Sequence, residues 1–86
     1  MQQPIHLKIC YDLSLQKITG KALVDTVISN GSTFSYLLMN IFMEHPEIEI
    51  YYPPGTLGMT INGIPPKLDS PLSEGDMVEL TVVTHS

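Results

Sequence analysis

The chain has 86 residues, of which 43% are apolar and 15% are charged, so its composition is that of an ordered globular protein rather than a disordered one. This length has room for a single domain, residues 1–86, with one modest core and no large enclosed active site. Nine acidic residues against four basic ones give a net charge of -5, which argues against nucleic acid and anionic membranes as partners because both are polyanions.

Three sequence features bear on the location of the protein. The longest nearly apolar stretch, residues 34–43, is too short to span a bilayer. Residues 1–8 lack the basic-then-apolar order of a signal peptide. The single cysteine, Cys10, has no partner for an internal disulfide, which is consistent with a reducing compartment. We therefore expect a soluble, cytoplasmic protein.

The amino-terminal third of the chain predicts two strands. Residues 4–12 alternate between apolar and polar side chains, which is typical of a strand with one buried face. The inward set is Ile5, Leu7, Ile9 and Tyr11, and the outward set is His6, Lys8 and Cys10. Residues 21–29 are rich in β-branched side chains and predict a second strand, although the pattern leaves open which face is buried. The segment between them, residues 12–21, is expected to form a long or irregular hairpin loop.

The period changes after residues 30–33. Side chains then recur at steps of three and four, which predicts a helix that begins with Ser32 or Thr33 as N-cap and ends before Pro46. The recurring set is Phe34, Leu37, Leu38, Ile41 and His45. We expect His45 to end the helix, where a cation suits the helix dipole.

The remainder of the chain predicts further strands joined by turns. Residues 47–52 contain a short alternating piece, and residues 57–62 predict a strand. Asn62 and Gly63 predict a tight hairpin turn, because both residues accept the positive φ angles that such a turn requires. Residues 64–68 are expected to form a short edge strand, since their prolines remove backbone donors.

Residues 77–86 predict the final strand. One face carries Val78, Leu80 and Val82, and the other carries Met77, Glu79, Thr81 and Val83. Asp76 is expected to fix the preceding turn through its own side chain. The whole order predicts an α+β fold, with a mixed four- to five-stranded sheet and one main helix packed on one face.

Residues 60–80, TINGIPPKLDSPLSEGDMVEL, resemble a stretch of the small sulfur carriers of molybdopterin and thiamine synthesis, the MoaD/ThiS type. The shared pattern is a strand, an Asn-centred turn, a short strand, a leucine before a Gly-Asp pair, and a final apolar strand. Residues 33–38 are similar to the start of that family's helix. The resemblance implies a ubiquitin-like β-grasp fold. On the match, Asn62 lies in the turn, Leu72 fills the core, Gly75 and Asp76 make the last turn, and Val78 and Leu80 face the helix.

The resemblance also implies where a carrier keeps its chemistry. In the family the chain ends in Gly-Gly, and a partner enzyme adenylates the terminal carboxylate before its conversion to a thiocarboxylate that donates sulfur. The tail must thread a narrow channel, and glycine has no Cβ to obstruct that approach. In this sequence His85 and Ser86 stand in that place, so they hold the carrier position if the chain is active.

A second departure from the family lies on the outer face of the last strand. The position of Thr81 is commonly a large apolar residue in the carriers and belongs to the surface that meets the activating enzyme. With Glu79 beside it, we expect a polar face that lies opposite Lys8 and His6 across the sheet. Glu79, Thr81 and Val83 are therefore candidate partner-binding residues.

The outer side of the predicted helix is unusually apolar. Tyr36, Met39 and Met43 recur there at steps of three and four, although a single helix on a sheet normally has a solvated outer face. One interpretation is that residues 46–57 fold over this side. The other is that these three residues bind a protein partner or a second copy of the chain, because exposed apolar patches mark contacts and methionine adapts to them.

Other chemical groups receive ordinary structural interpretations. His6, His45 and His85 come from separate elements without ligand spacing, so no metal site is predicted. Cys10 lies on an outward strand face without an activating neighbour, and we expect an inert thiol. No nucleophile stands beside a base and no glycine loop is suited to phosphate, so we predict no catalytic residue, no cofactor and no independent enzyme.

Three functional hypotheses follow. The first is a non-catalytic ubiquitin-like interaction module, related to the sulfur carriers, that binds a protein partner without a usable Gly-Gly tail. The second is a genuine sulfur carrier with a truncated or atypical tail, whose partner is an adenylating enzyme or the large subunit of a synthase. The third is an accessory subunit of a larger enzyme. We place the first ahead because the missing glycines and the polar strand face both argue against a carrier.

Overall fold

Four strands and three helices make up the part of the chain, residues 3–53 and 55–83, that this computed structural model describes. In chain order they are β1 (Pro4–Tyr11), α1 (Leu13–Thr19), β2 (Leu23–Ser29), α2 (Phe34–Glu44), α3 (Glu47–Tyr51), β3 (Leu57–Ile61) and β4 (Met77–Val82). Within these residues, no helix combines the length and the apolar character needed to cross a membrane.

The strands form one mixed sheet in the order β2-β1-β4-β3. β1 pairs antiparallel with β2 and parallel with β4, and β3 pairs antiparallel with β4. Ile9 lies opposite Val24 of β2 and Val78 of β4, which places β1 and β4 at the centre. In β2 the side chain of Ile28 is buried while that of Val27 is exposed, which settles the face that the sequence leaves open.

The hydrophobic core lies between the sheet and α2. Leu7, Val78 and Leu80 from the central strands and Leu37 from α2 are all at most 1% exposed. Burial of a side chain of this size contributes about 1.5–3 kcal/mol relative to leaving it in water. Leu72, which comes from the link between β3 and β4, is 3% exposed, and this confirms its predicted place in the core. The predicted α+β architecture with one main helix is also confirmed.

α2 begins and ends where the sequence predicts. Thr33 is the N-cap, and its hydroxyl accepts a hydrogen bond from the backbone N–H of Tyr36 at 3.4 Å. His45 is the C-cap, and its backbone N–H donates to the carbonyl of Ile41 at 2.8 Å. Pro46 then prevents the helix from continuing.

The turn chemistry around β3 and β4 is also as predicted. Asn62 and Gly63 have φ angles of 53° and 83°, and the backbones of Ile61 and Ile64 exchange two hydrogen bonds across them. Asp76 accepts from the backbone N–H of Ser73 at 2.8 Å and from the side-chain amide of Asn62 at 2.9 Å. One carboxylate therefore fixes its own turn and ties it to the hairpin.

The segment predicted as a hairpin loop contains a helix, and that prediction is wrong. α1 begins after Asp12, whose side chain accepts from the backbone N–H of Leu15, and ends at Gly20, which has a φ of 77°. Both are ordinary helix-end signals. The helix is short, and Leu15 is its one buried residue, so the apolar period that identifies a helix is too brief to stand out in the sequence.

The short alternating piece at residues 47–52 is helical, and the edge strand predicted at residues 64–68 is wrong. The alternating piece at residues 47–52 contains α3, which follows Pro46 and has acidic residues in its first turn, where they suit the helix dipole. Ile48 is buried while Ile50 is 73% exposed, so the alternation reflects the two sides of a single helical turn. Residues 64–68 form no strand; Ile64 makes only an isolated bridge to Ile61, because the two following prolines cannot donate to a ladder.

One side chain joins the start of α1 to the end of β4. The Asp12 carboxylate accepts from the backbone N–H of Leu15 at 2.9 Å through Oδ1 and from that of Val82 at 2.6 Å through Oδ2. The backbone N–H of Asp12 donates to the carbonyl of Leu80 at 3.2 Å. A charged acceptor makes stronger hydrogen bonds than a neutral one, so Asp12 holds together two segments that are far apart in the sequence.

We expect Asp12→Ala to lower the free energy of unfolding by about 1–3 kcal/mol, because it removes both the cap and the acceptor for Val82. Asp12→Asn keeps one carbonyl acceptor and should lose less. Urea denaturation followed by circular dichroism measures the difference. The matched control is Asp25→Ala, at an exposed position of β2. An equal loss of unfolding free energy in that variant would contradict a special role for Asp12.

Candidate partner-binding surfaces

The apolar outer side of α2 is exposed. Tyr36, Met39 and Met43, which we call the helix patch, are 47%, 53% and 74% exposed. The described residues of segment 46–57 leave them open, so the interpretation in which that segment covers this side is wrong. Three exposed apolar side chains on one helix are available to a partner, and their role as binding residues stays a prediction.

Beside Met39 and Met43 runs an apolar groove. It consists of two adjoining hollows of about 340 and 330 Å³, and both are lined by Leu38, Phe42, Glu49 and Leu68. The first hollow extends toward α3 and β3, where Tyr52, Leu57 and Met59 line it. The second extends outward along α2 and includes Met39 and Met43. We keep the name apolar groove for the two hollows together.

Tyr36 belongs to a different side of the helix from the two methionines. It lines a separate hollow between α2 and the edge strand β2, together with Val27, Ile28 and Ser29. The structure therefore divides the predicted patch: Met39 and Met43 lie on the apolar groove, while Tyr36 lies near the sheet edge.

The sequence misses most of the groove. It assigns Leu38 to the core face, but Leu38 and Phe42 are only partly buried and pack at the margin of the core. Leu68 comes from the segment predicted as a strand and is 65% exposed. Phe42 follows Leu38 by four residues, which is the signal for a second apolar row on α2, whereas the approach of Leu68 and Glu49 depends on tertiary packing.

The outer face of β4 carries polar side chains as predicted, with different neighbours. Glu79 lies opposite Cys10 of β1 and Thr60 of β3, and Thr81 lies opposite Gly58 of β3. Both Glu79 and Thr81 are exposed. The face is polar along this row because Glu79 and Thr60 flank each other across the strands.

The expectation that Glu79 and Thr81 lie opposite Lys8 and His6 is wrong. Lys8 pairs with Asp25 of β2 on one side and with Met77 of β4 on the other, so the register places Lys8 one row before Glu79. His6 lies beyond the start of β4, where its Nδ1 is 3.3 Å from the Glu74 carboxylate. Parallel register depends on the crossover between strands and cannot be read from alternation alone.

The end of β4 packs closely against β3. A Cβ added to Gly58 would lie 2.8 Å from Thr81 Oγ1 and 2.8 Å from Val83 Cγ2, so glycine leaves room for both side chains where they lie. The backbone N–H of Val83 donates to the carbonyl of Thr56 at 2.7 Å, and Val83 is 39% exposed. The predicted carrier position, His85 and Ser86, lies outside the described residues.

The described polar groups do not converge on one reactive centre. Cys10 is half-buried, and its thiol lies 3.1 Å from the Met77 sulfur. His6 contacts Glu74, whereas the His45 ring lies 6.4 Å from the Tyr11 ring in an edge-on arrangement. Across residues 3–53 and 55–83, no group of three or more His, Cys, Asp or Glu side chains is arranged to hold a metal ion.

A small cleft of about 110 Å³ lies between α2 and the strands β1 and β2, beside Tyr11. Burial raises the pKa of Tyr11 to about 12, and the nearby negative charge of Glu44 adds to this shift. The phenol therefore keeps its proton at neutral pH. Lys21 and Glu44 also line this cleft, but its size leaves little room for a ligand.

By sequence, the chain matches no described protein family and no curated protein. Solved structures nevertheless resemble it along nearly its whole length. Small archaeal modifier protein 1 from Haloferax volcanii is similar with a TM-score of 0.79 at 17% identity, covering 93% of this chain and 99% of that chain. A Pyrococcus furiosus protein provisionally named molybdopterin converting factor, subunit 1, gives a TM-score of 0.82 at 17% identity, with coverage of 93% and 99%.

A ubiquitin from Caldiarchaeum subterraneum is similar as well, with a TM-score of 0.64 at 16% identity, covering 98% of this chain and 99% of that chain. These likenesses confirm the ubiquitin-like β-grasp fold that the resemblance of residues 60–80 implies. At such low identity these likenesses establish the fold alone.

The raised pKa of Tyr11 predicts a loss of stability in alkali. The unfolded phenol releases its proton near pH 10, whereas the folded one keeps it to about pH 12. The free energy of unfolding therefore has its full value below pH 10 and falls as the pH rises through about 12. Absorbance at the tyrosinate band should show a titration step at about pH 12 that is absent in Tyr11→Phe. A titration curve that Tyr11→Phe leaves unchanged would contradict the prediction.

Proposed function

We propose that this chain is a non-catalytic ubiquitin-like module that binds a protein partner through the apolar outer side of α2. The observation that carries the proposal is the exposure of Met39 and Met43, at 53% and 74%, beside an apolar groove. Exposed apolar surface of this kind marks protein contacts, and methionine side chains adjust to the shape of a partner.

The energetic scale supports this assignment. Full burial of a methionine side chain contributes about 1.5–3 kcal/mol, and each tenfold change in affinity corresponds to about 1.4 kcal/mol. Covering the exposed parts of Met39 and Met43 is therefore of the order of a tenfold change in partner affinity, from which the cost of ordering the two side chains is subtracted.

Two further observations support an interaction role. The structures that this chain resembles include proteins named as a modifier and as a ubiquitin. The outer sheet row of Glu79 and Thr81 is polar and exposed, unlike the apolar docking surface of the sulfur carriers that the sequence resembles. We place the module in the cytoplasm, where the unpaired Cys10 thiol stays reduced.

The second candidate is a sulfur carrier. It is favoured by the likeness to the Pyrococcus furiosus converting factor subunit and by the Leu72, Gly75 and Asp76 pattern ahead of β4. In this case an adenylating enzyme or the large subunit of a synthase is the partner, and the carboxylate at the end of the chain attacks the α-phosphorus of ATP with release of pyrophosphate. Hydrosulfide, as the sulfur donor, then attacks the acyl carbon and displaces AMP to leave a thiocarboxylate. The third candidate, an accessory subunit, predicts a fixed-ratio complex with a catalytic chain.

The interaction proposal predicts that the double variant Met39→Glu, Met43→Lys loses its partner while keeping its fold. The tagged chain and the variant are purified from their own cells, and partners that elute with the chain in a fixed ratio are quantified by mass spectrometry. The ratio should fall at least tenfold in the variant, because charged groups would have to be desolvated at the contact. Leu13→Glu, at an 80% exposed site on α1, is the control.

Retention of every fixed-ratio partner by the folded double variant would contradict the proposal. A loss that is equal in Leu13→Glu would show that the added charge acts without regard to position, and this too would contradict a binding role for the helix patch.

The carrier alternative predicts a chemically activated carboxyl terminus. Intact mass of the protein isolated from its own cells should then show added glycines or a terminal thiocarboxylate, and incubation with ATP and a matching activating enzyme should give an adenylate. The interaction module predicts neither product. An adenylate on Ser86 that forms equally in the Met39→Glu, Met43→Lys variant would establish the carrier reaction and leave the helix patch without a part in it.

A further inference from the structure

We propose that the apolar groove binds an amphipathic helix of a partner protein whose polar face carries lysine or arginine. This inference rests on the proposed function, since it names the kind of partner segment that an interaction module of this chain would bind. Three features of the groove support it: its length, the side chains that line it and the charge around it.

The groove has the length and the periodicity of a helix-binding surface. Phe34, Leu38 and Phe42 line it from successive turns of α2, and eight residues of helix span about 12 Å. Side chains four residues apart form a ridge along a helix, and a second helix packs its own ridge beside it. An occupant with apolar residues at positions i and i+4 would fill the two hollows in turn.

The groove wall opposite α2 comes from α3 and from the link between β3 and β4. Leu68, which is 65% exposed, and Glu49 line both hollows, while Met39 and Met43 lie at the outer end. The surface is therefore bounded on two sides and open along its length. A long open groove suits an elongated segment of protein better than a compact small molecule, which is normally enclosed over most of its surface.

The negative charges around the groove favour a partner segment with basic side chains. Glu49 is the one charged side chain that lines either hollow, and Asp69 directly follows Leu68 and is exposed. Of the four basic residues in the chain, only Lys67 lies in the segment beside the groove; Lys8 belongs to β1, Lys17 to α1 and Lys21 to the link between α1 and β2. With a net charge of -5, the chain attracts a cationic segment and repels an acidic one.

The same charge disfavours a second copy of this chain as the occupant. A two-fold dimer places the same surface of both copies face to face. Two copies joined at this groove would therefore bring Glu49 and Asp69 of one toward Glu49 and Asp69 of the other, with Lys67 of each copy as the one nearby basic side chain against these two carboxylates. Like charges at an interface oppose association.

Two synthetic helical peptides test the inference. Both are about 16 residues long with leucine at positions i, i+4 and i+7; the polar face is lysine in one and glutamate in the other. Binding to the full chain is measured by fluorescence anisotropy, and the contact is located by methyl resonances of Leu38, Met39, Met43 and Leu68. The basic peptide should bind at least tenfold more tightly than the acidic one and should shift the groove methyls.

Three matched variants separate the groove from the general negative charge. Glu49→Gln should weaken the basic peptide by about threefold, as expected for one exposed charge pair. Leu68→Ser should weaken it by about tenfold through lost apolar contact. Val27→Ser, at a comparably exposed site on β2, should leave binding unchanged. Amide spectra confirm that each variant remains folded.

The outcomes that overturn the inference differ from those that overturn the proposed function. Equal binding of both peptides, or shifts confined to the outer sheet face, would refute a basic helix in the groove. So would a dimer in sedimentation that Leu68→Ser dissociates, because the occupant would then be a second copy. In these cases the Met39→Glu, Met43→Lys result still decides independently whether the helix patch binds a protein partner.

Discussion

The parallel pairing of β1 with β4 at the centre of the sheet is the contact on which the remaining structure depends. It brings together segments from opposite ends of the described chain, and the Asp12 carboxylate fixes it by accepting from Val82, 70 residues away. With β4 in place, Val78 and Leu80 become fully buried and α2 has a continuous apolar surface to cover. β2 and β3 then add to either side, which leaves α2 as the main cover of the core and its outer side open.

The local rules predict much of this structure and fail where an element is short or a contact is distant. Alternation identifies β1 and β4, and the three- and four-residue steps identify α2, because each is long enough to show its period. α1 and α3 have 7 and 5 residues, too few to show an apolar period, and in α1 the caps at Asp12 and Gly20 carry more information than the apolar pattern. The register that places Glu79 beside Cys10 depends on the whole crossover, so no local pattern reveals it.

The apolar surface is unevenly divided between the two faces of the molecule. The outer sheet row around Glu79 and Thr81 is polar. On the other face, α2 and the link between β3 and β4 expose Met39, Met43 and Leu68 beside a groove that one carboxylate lines. A β-grasp domain that uses its helix side for contact leaves its sheet face and the end of β4 free. Contact through the helix side and access to the exposed row of Glu79 and Thr81 are therefore sterically independent in this fold.

The central place of β4 also bears on how the protein is made. During synthesis β1 and α2 emerge first, but β1 has one unpaired edge and α2 has no complete surface to cover until residues 77–82 follow. The nascent chain therefore exposes apolar side chains and a strand edge for most of its synthesis, a condition that invites aggregation and chaperone binding. Because the decisive contacts join distant residues, folding of this small domain should be slower than that of a helical bundle of equal length.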